Sequence, residues 1–104
     1  MQTQVSILHH DYPNPVRDQV ADRLQHLAKF FDRIVSVRAM LERQGAEHRV
    51  ELVASVGQGA VLVVDARGEA FGGALDEALG RMERLLKRHN EKRNPARRRG
   101  QREG

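Results

Sequence analysis

Arg81, Arg84, Arg88 and Lys92 follow one another at spacings of three, four and four. On a helix those spacings set four cations in one row along roughly 16 Å of axis. A row of this kind neutralises the phosphates of a nucleic-acid backbone and displaces their condensed counterions. It tracks phosphates better than it reads bases, so it favours shape-directed binding of RNA over recognition of a base sequence. Lys87 flanks the row, and His89 stands among its cations. These neighbours would repel a metal ion, so a phosphate contact suits His89 better than metal ligation.

Other residues that could do chemistry do not assemble into a site. Nucleophilic catalysis needs an activated Ser, Cys or Thr beside a base. Cys is absent, Thr3 is the single threonine, and Ser6, Ser36 and Ser55 fall in predicted strands without a glycine-flanked elbow. Asp76 and Glu77 are adjacent and point to different faces of a helix, where Asp76 is expected to serve the positive N-terminal end. His9 and His10, with Asp11 and Tyr12, hold a metal only with help from elsewhere, and His26, His48 and His89 fit no ligand spacing. The stretch Gly68-Glu69-Ala70-Phe71-Gly72-Gly73 lacks the Lys and the glycine spacing of a phosphate-binding or dinucleotide-binding motif and is expected to be a loop. Phe30 offers a surface for base stacking, but a content of 4% aromatic residues disfavours a binder built on stacking. The expectation is a protein that is not an enzyme and uses no metal, cofactor or small-molecule substrate.

The elements that must position the cationic row are legible from hydrophobic periodicity. Residues 2–8 alternate as a strand, with Val5 and Ile7 on one side. Asn14 and Pro15 fit the N-cap and first turn of a helix whose apolar stripe is Val16, Val20, Leu24, Leu27 and Phe31. At its exit, Phe30-Phe31-Asp32-Arg33-Ile34, one Phe is expected to plug the core while Asp32 turns the chain. Val35, Val37, Ala39 and Leu41 alternate as a second strand, and Val50, Leu52, Ala54 and Val56 as a third, with turns at Gly45 and at Gly57-Gln58-Gly59. The Val-rich run of residues 60–66 reads as a strand at least partly covered on both sides, closed by residues 65–69. From about Gly72 a helical stripe of Leu75, Ala78, Leu79, Met82, Leu85, Leu86 and His89 runs to Asn94-Pro95, where proline ends it. The predicted fold is an α+β two-layer sandwich in the order β-α-β-β-β-α. A four-stranded sheet carries two helices on one face, in an outline like that of a double-stranded RNA-binding domain.

Length and charge narrow the classes further. A chain of 104 residues holds one domain, placed at residues 1–93, and its apolar runs are far shorter than the roughly 18–20 residues of a membrane helix. Without Cys there is no disulfide or thiolate chemistry, and 39% hydrophobic residues suffice for a core. No signal pattern opens the chain, so the expected location is the cytoplasm, away from membranes. The net charge of +4 is unevenly spread: residues 1–80 hold 8 Lys or Arg against 11 Asp or Glu, a net of −3, and residues 81–104 hold 10 against 3, a net of +7. The basic end points to a polyanionic partner. Residues 94–104 are Arg-rich with no apolar residue larger than Ala, and are expected to form a disordered tail.

Two stretches carry a family resemblance: FFDRI at residues 30–34 and LDEALGRMERLLKRHNEK at residues 75–92. They resemble the helix exit and the closing helix of the short ribosome hibernation promoting factors, also described as ribosome-associated translation inhibitors or sigma-54 modulation proteins. The resemblance extends over residues 2 to about 93. It implies a β-α-β-β-β-α domain that binds the small ribosomal subunit and the 70S ribosome, contacts 16S rRNA in the channel where transfer and messenger RNA meet, and silences idle ribosomes. It further implies RNA contacts by Arg81, Arg84, Arg88, His89 and Lys92 of the last helix and by Arg17 and Arg23 of the first, with Lys87 included on charge alone. The chain departs from the family at Gly72 and Gly73, where a Tyr usually precedes the helix start, and at Asn90, which replaces a Lys. On the residues alone two other readings stay open: a module for another structured RNA, and a regulator that acts by protein interaction.

Overall fold

The elements follow in the order β1 (Gln4–His9), α1 (Asn14–Phe30), β2 (Ile34–Gln44), β3 (Glu47–Val56), β4 (Ala60–Gly68) and α2 (Phe71–Arg93). The computed structural model describes residues 4–9, 12–31 and 33–93. The predicted tail at 94–104, together with His10, Asp11 and Asp32, lies outside the described residues. The strands form one sheet in the order β1-β2-β3-β4. The crossover through α1 makes β1 and β2 parallel, and two short turns make β2–β3 and β3–β4 antiparallel. Each turn uses a glycine in the left-handed region, Gly45 at φ 63° and Gly59 at φ 81°, which an L side chain rarely adopts.

Period-two burial explains why both helices sit on the same face. Val37, Ala39 and Leu41 of β2 and Val50, Leu52, Ala54 and Val56 of β3 are buried and share that face. Against them pack Val20, Leu24 and Leu27 of α1 and, from α2, a stripe that includes Leu75, Ala78, Met82 and Leu86. No polar or charged residue is buried in this core among the described residues. The expected two-layer sandwich is the observed one.

Four local expectations are corrected. First, Val35 is exposed and Ile34 is buried instead, because the β2–β3 register shifts between Ile34 and Ser36 and the bulge turns Val35 outward. Second, β4 is covered on one side only. It is an edge strand, and Val61 and Val63 remain 58% and 54% exposed on the face without helices. It also continues through residues 65–68, where the sequence suggested a break. Third, α1 begins at Asn14 behind Pro13, whose carbonyl accepts the Val16 N–H at 3.0 Å, so no side chain caps this end. The missing N–H of Pro15 needs no partner there. Fourth, the predicted Gly68–Gly73 loop shrinks to Glu69 and Ala70. Gly68 ends β4, and α2 has begun by Phe71, with the Ala74 N–H donating to the Ala70 carbonyl at 3.1 Å. The helix exit follows expectation, with Phe31 in the core and Phe30 exposed, its ring edge-on to His26 at 4.9 Å.

Candidate nucleic-acid interface

The two helices run roughly parallel, since each returns from a strand and β1, β2 and β4 share one direction. An ion pair of 3.0 Å between Arg23 and Asp76 sets their mutual register. Asp76 therefore binds across to α1 instead of serving the helix end, and the first turn of α2 holds no acidic residue. Measured from this pair, Arg84 and Arg88 lie about 12 and 18 Å further along α2, while Arg17 lies about 9 Å the other way along α1. The structure thus separates Arg17 from the α2 cations and places Arg23 between them, engaged with Asp76.

The predicted row is chemically uneven. Arg81 donates to the Asp65 carbonyl of β4 at 2.6 Å and pairs with Glu77 at 3.2 Å, so it ties α2 to the sheet edge. Arg84, Lys87 and Arg88 are exposed and make no hydrogen bond or ion pair with a described residue. These three can meet phosphates without first breaking a hydrogen bond or ion pair to a described residue, which makes them the accessible centre of the row. The backbone of Lys92 continues α2 three turns beyond Arg81, and its side chain lies outside the described residues.

His89 occupies the inner border of the row. It is half-buried at the end of the apolar stripe, and its Nε2 is enclosed with no hydrogen-bond partner among the described residues. In this arrangement the Nε2 packs rather than binds, and a phosphate contact through it requires the ring to rotate outward. An enclosed polar atom without a partner costs about 1–3 kcal/mol. His89→Leu is accordingly expected to raise stability by about 1 kcal/mol, read as a higher urea midpoint at unchanged m-value. An unchanged or lower midpoint would show that the nitrogen is satisfied in solution.

The fold adds two cations that sequence reasoning did not select. Lys29 stands in the last turn of α1, and exposed Arg33 follows the helix, its carbonyl accepting the Gly57 N–H at 3.0 Å. By the register of the helices, Lys29 is level with about Met82, and Arg33 lies toward the same end as Arg84, Lys87 and Arg88. Their spacing of four was visible in the sequence, but their alignment with α2 depends on how the helices dock. The opposite sheet face is electrostatically quieter. There Arg49 is held by Glu42, Glu51 and Asp65 at 3.6, 3.3 and 3.3 Å, and Arg67 faces Glu47 at 3.9 Å.

At the far end, near the start of α2, Tyr12, His48 and Phe71 form a ring cluster that sequence reasoning also missed. The Tyr12 hydroxyl and His48 Nδ1 are hydrogen-bonded at 2.6 Å, and the Tyr12 and Phe71 ring centroids are 5.0 Å apart. All three rings are half-buried, so the cluster anchors the loop before α1 to the sheet rather than presenting a stacking surface.

Comparison with known proteins identifies the family and the fold. Residues 3–94 match the family model described as sigma 54 modulation protein / S30EA ribosomal protein. A ribosome hibernation promoting factor of Pseudomonas putida is 30% identical over 92 residues, which cover 88% of this chain and 89% of that one. A protein of the same name from Azotobacter vinelandii is 31% identical over 92 residues, covering 88% and 85%. Among solved structures, the N-terminal domain of Protein Y from Thermus thermophilus superposes with a TM-score of 0.71 at 23% identity, covering 86% of this chain and 99% of that one. A ribosomal subunit interface protein from Coxiella burnetii gives a TM-score of 0.72 at 13% identity, covering 86% and 98%. A family match over nearly the whole described fold, together with relatives at 30% identity or above, establishes that this chain belongs to the sigma 54 modulation protein / S30EA ribosomal protein family.

Proposed function

We propose that the chain is a ribosome hibernation factor: it binds 16S rRNA of the small ribosomal subunit in the channel where transfer and messenger RNA meet, and silences idle ribosomes by occupying it. The observation that carries this reading is the exposed cation cluster Arg84, Lys87 and Arg88 on α2, without a hydrogen bond or ion pair to a described residue, joined by Lys29 and Arg33 at the same end of the molecule. The names of the relatives supply the ribosome as the polyanion. Arg81 and Arg23 brace the helix that presents the cluster. Lys92, and His89 once its ring turns outward, extend the contact toward the helix end, and Arg17 reaches a separate stretch of backbone. No bond is made or broken. The protein acts in the cytoplasm by occupation, and its affinity comes mostly from counterion release.

This mechanism has a measurable salt signature. If Arg84, Lys87 and Arg88 each neutralise one phosphate, raising monovalent salt fourfold weakens binding to 30S subunits by about fortyfold. A titration by filter binding measures the slope, and a salt-independent affinity would contradict a phosphate-tracking interface. The proposal as a whole is tested by a sucrose-gradient profile of a stationary-phase lysate. The chain is expected in the 30S and 70S fractions, and the same profile shows whether paired ribosomes accumulate with it. A chain that stays at the top of the gradient overturns the ribosomal reading.

A further inference from the structure

We propose that the free edge of β4 is a docking site for an extended peptide strand that alternates apolar and acidic residues. β4 pairs with β3 on one side only, so its other edge has no strand partner among the described residues. Arg81 donates to the Asp65 carbonyl at 2.6 Å, which shows that the backbone groups of Asp65 point to this edge. In an antiparallel ladder the outward direction recurs at every second residue, so Val61 and Val63 present their N–H and carbonyl groups there too. Residues 60–64 of this edge contain no proline and no charged residue, and so lack the usual protection against pairing. Arg81 closes it only at Asp65, leaving Val61 and Val63 open.

The two faces beside this edge differ, and the difference specifies the guest. On the face without helices, Val61 and Val63 are 58% and 54% exposed and would pair with apolar side chains of an added strand. On the helix face, α2 runs back along β4, and Arg88 lies two turns beyond Arg81 on the same side of the helix. That rise of about 10 Å brings Arg88 level with about Leu62. Side chains of an added strand alternate between the faces, so one set meets the valines and the other meets Arg81 and Arg88. The apolar set is Val-like and the acidic set is Glu-like. A second copy of this chain is a poorer guest, because pairing two β4 edges about a twofold axis would bring two α2 rows of like charge together. RNA has no strand backbone to pair with the edge. The site is independent of the ribosomal reading, although an acidic strand held there would compete with RNA for Arg88.

The test uses the full chain and a labelled peptide of sequence Val-Glu-Val-Glu-Val-Glu-Val. Fluorescence anisotropy is expected to show saturable binding, weakened about fivefold by Arg88→Glu. Methylation of the peptide nitrogens that face β4 is expected to weaken it tenfold or more. Amide hydrogen exchange read by NMR is expected to slow at Val61 and Val63 when the peptide is added. The proposal is overturned if the methylated peptide, or one with Lys in place of Glu, binds equally well. It is also overturned if the two amides are unaffected, if only an RNA oligonucleotide binds, or if sedimentation shows a dimer whose Val61 and Val63 amides are already protected. Each of these outcomes leaves the measurement of 30S binding separate.

Discussion

Reversing Arg84 and Arg88 to Glu together is expected to lower the affinity for 30S subunits by a hundredfold or more while leaving the fold intact. Two charge-assisted contacts of about 1.5–3 kcal/mol each are lost, and repulsion from the phosphates is added. Both side chains are exposed and make no hydrogen bond or ion pair with a described residue, so their replacement breaks no such bond there. The slope of affinity against salt falls by about two as well, one for each phosphate no longer neutralised. Cosedimentation at two salt concentrations, with circular dichroism as the check on folding, measures both effects. A double variant that still travels with ribosomes would remove the RNA contact from α2 and favour regulation through a protein surface.

The largest effect on stability is expected at the seam between α1 and the sheet. Leu24 is fully buried in the cluster that joins α1, β2, β3 and α2. Leu24→Ala removes its buried methyl groups and leaves a cavity, at a cost of about 2–5 kcal/mol. A domain of this size has about 5–15 kcal/mol in total, so the variant loses a large share of its stability. Val63→Thr on the open face of β4 changes stability by less than about 0.5 kcal/mol, because that side chain is already in water. Urea denaturation of the two variants measures the contrast. Equal midpoints would mean that the open face is covered in solution.

The element order was legible because both periodicities are clean. Val50, Leu52, Ala54 and Val56 alternate along β3, and Leu75, Ala78, Met82 and Leu86 recur at helical spacing along α2, and all of them are buried. Val35 and the outer side of β4 were misread for opposite reasons. A bulge reverses the phase of one residue without a mark in composition, and a Val-rich run looks the same whether it lies inside a sheet or at its edge. The cationic row was readable from spacing alone. What spacing cannot show is which of its members are already engaged. Arg81 is bound to Asp65 and Glu77, and Arg23 to Asp76, because the docking of helix on sheet brings together residues distant in sequence. The same docking aligns Lys29 and Arg33 with Arg84, Lys87 and Arg88.

Hydroxyl-radical footprinting of 16S rRNA in 30S subunits, with and without the chain, reads the proposed contact itself. Protection is predicted along the backbone that lines the channel between the transfer and messenger RNA paths, disappearing when Arg84 and Arg88 are both reversed to Glu. Protection confined to another region of the subunit, or a footprint unchanged by the double reversal, would contradict it.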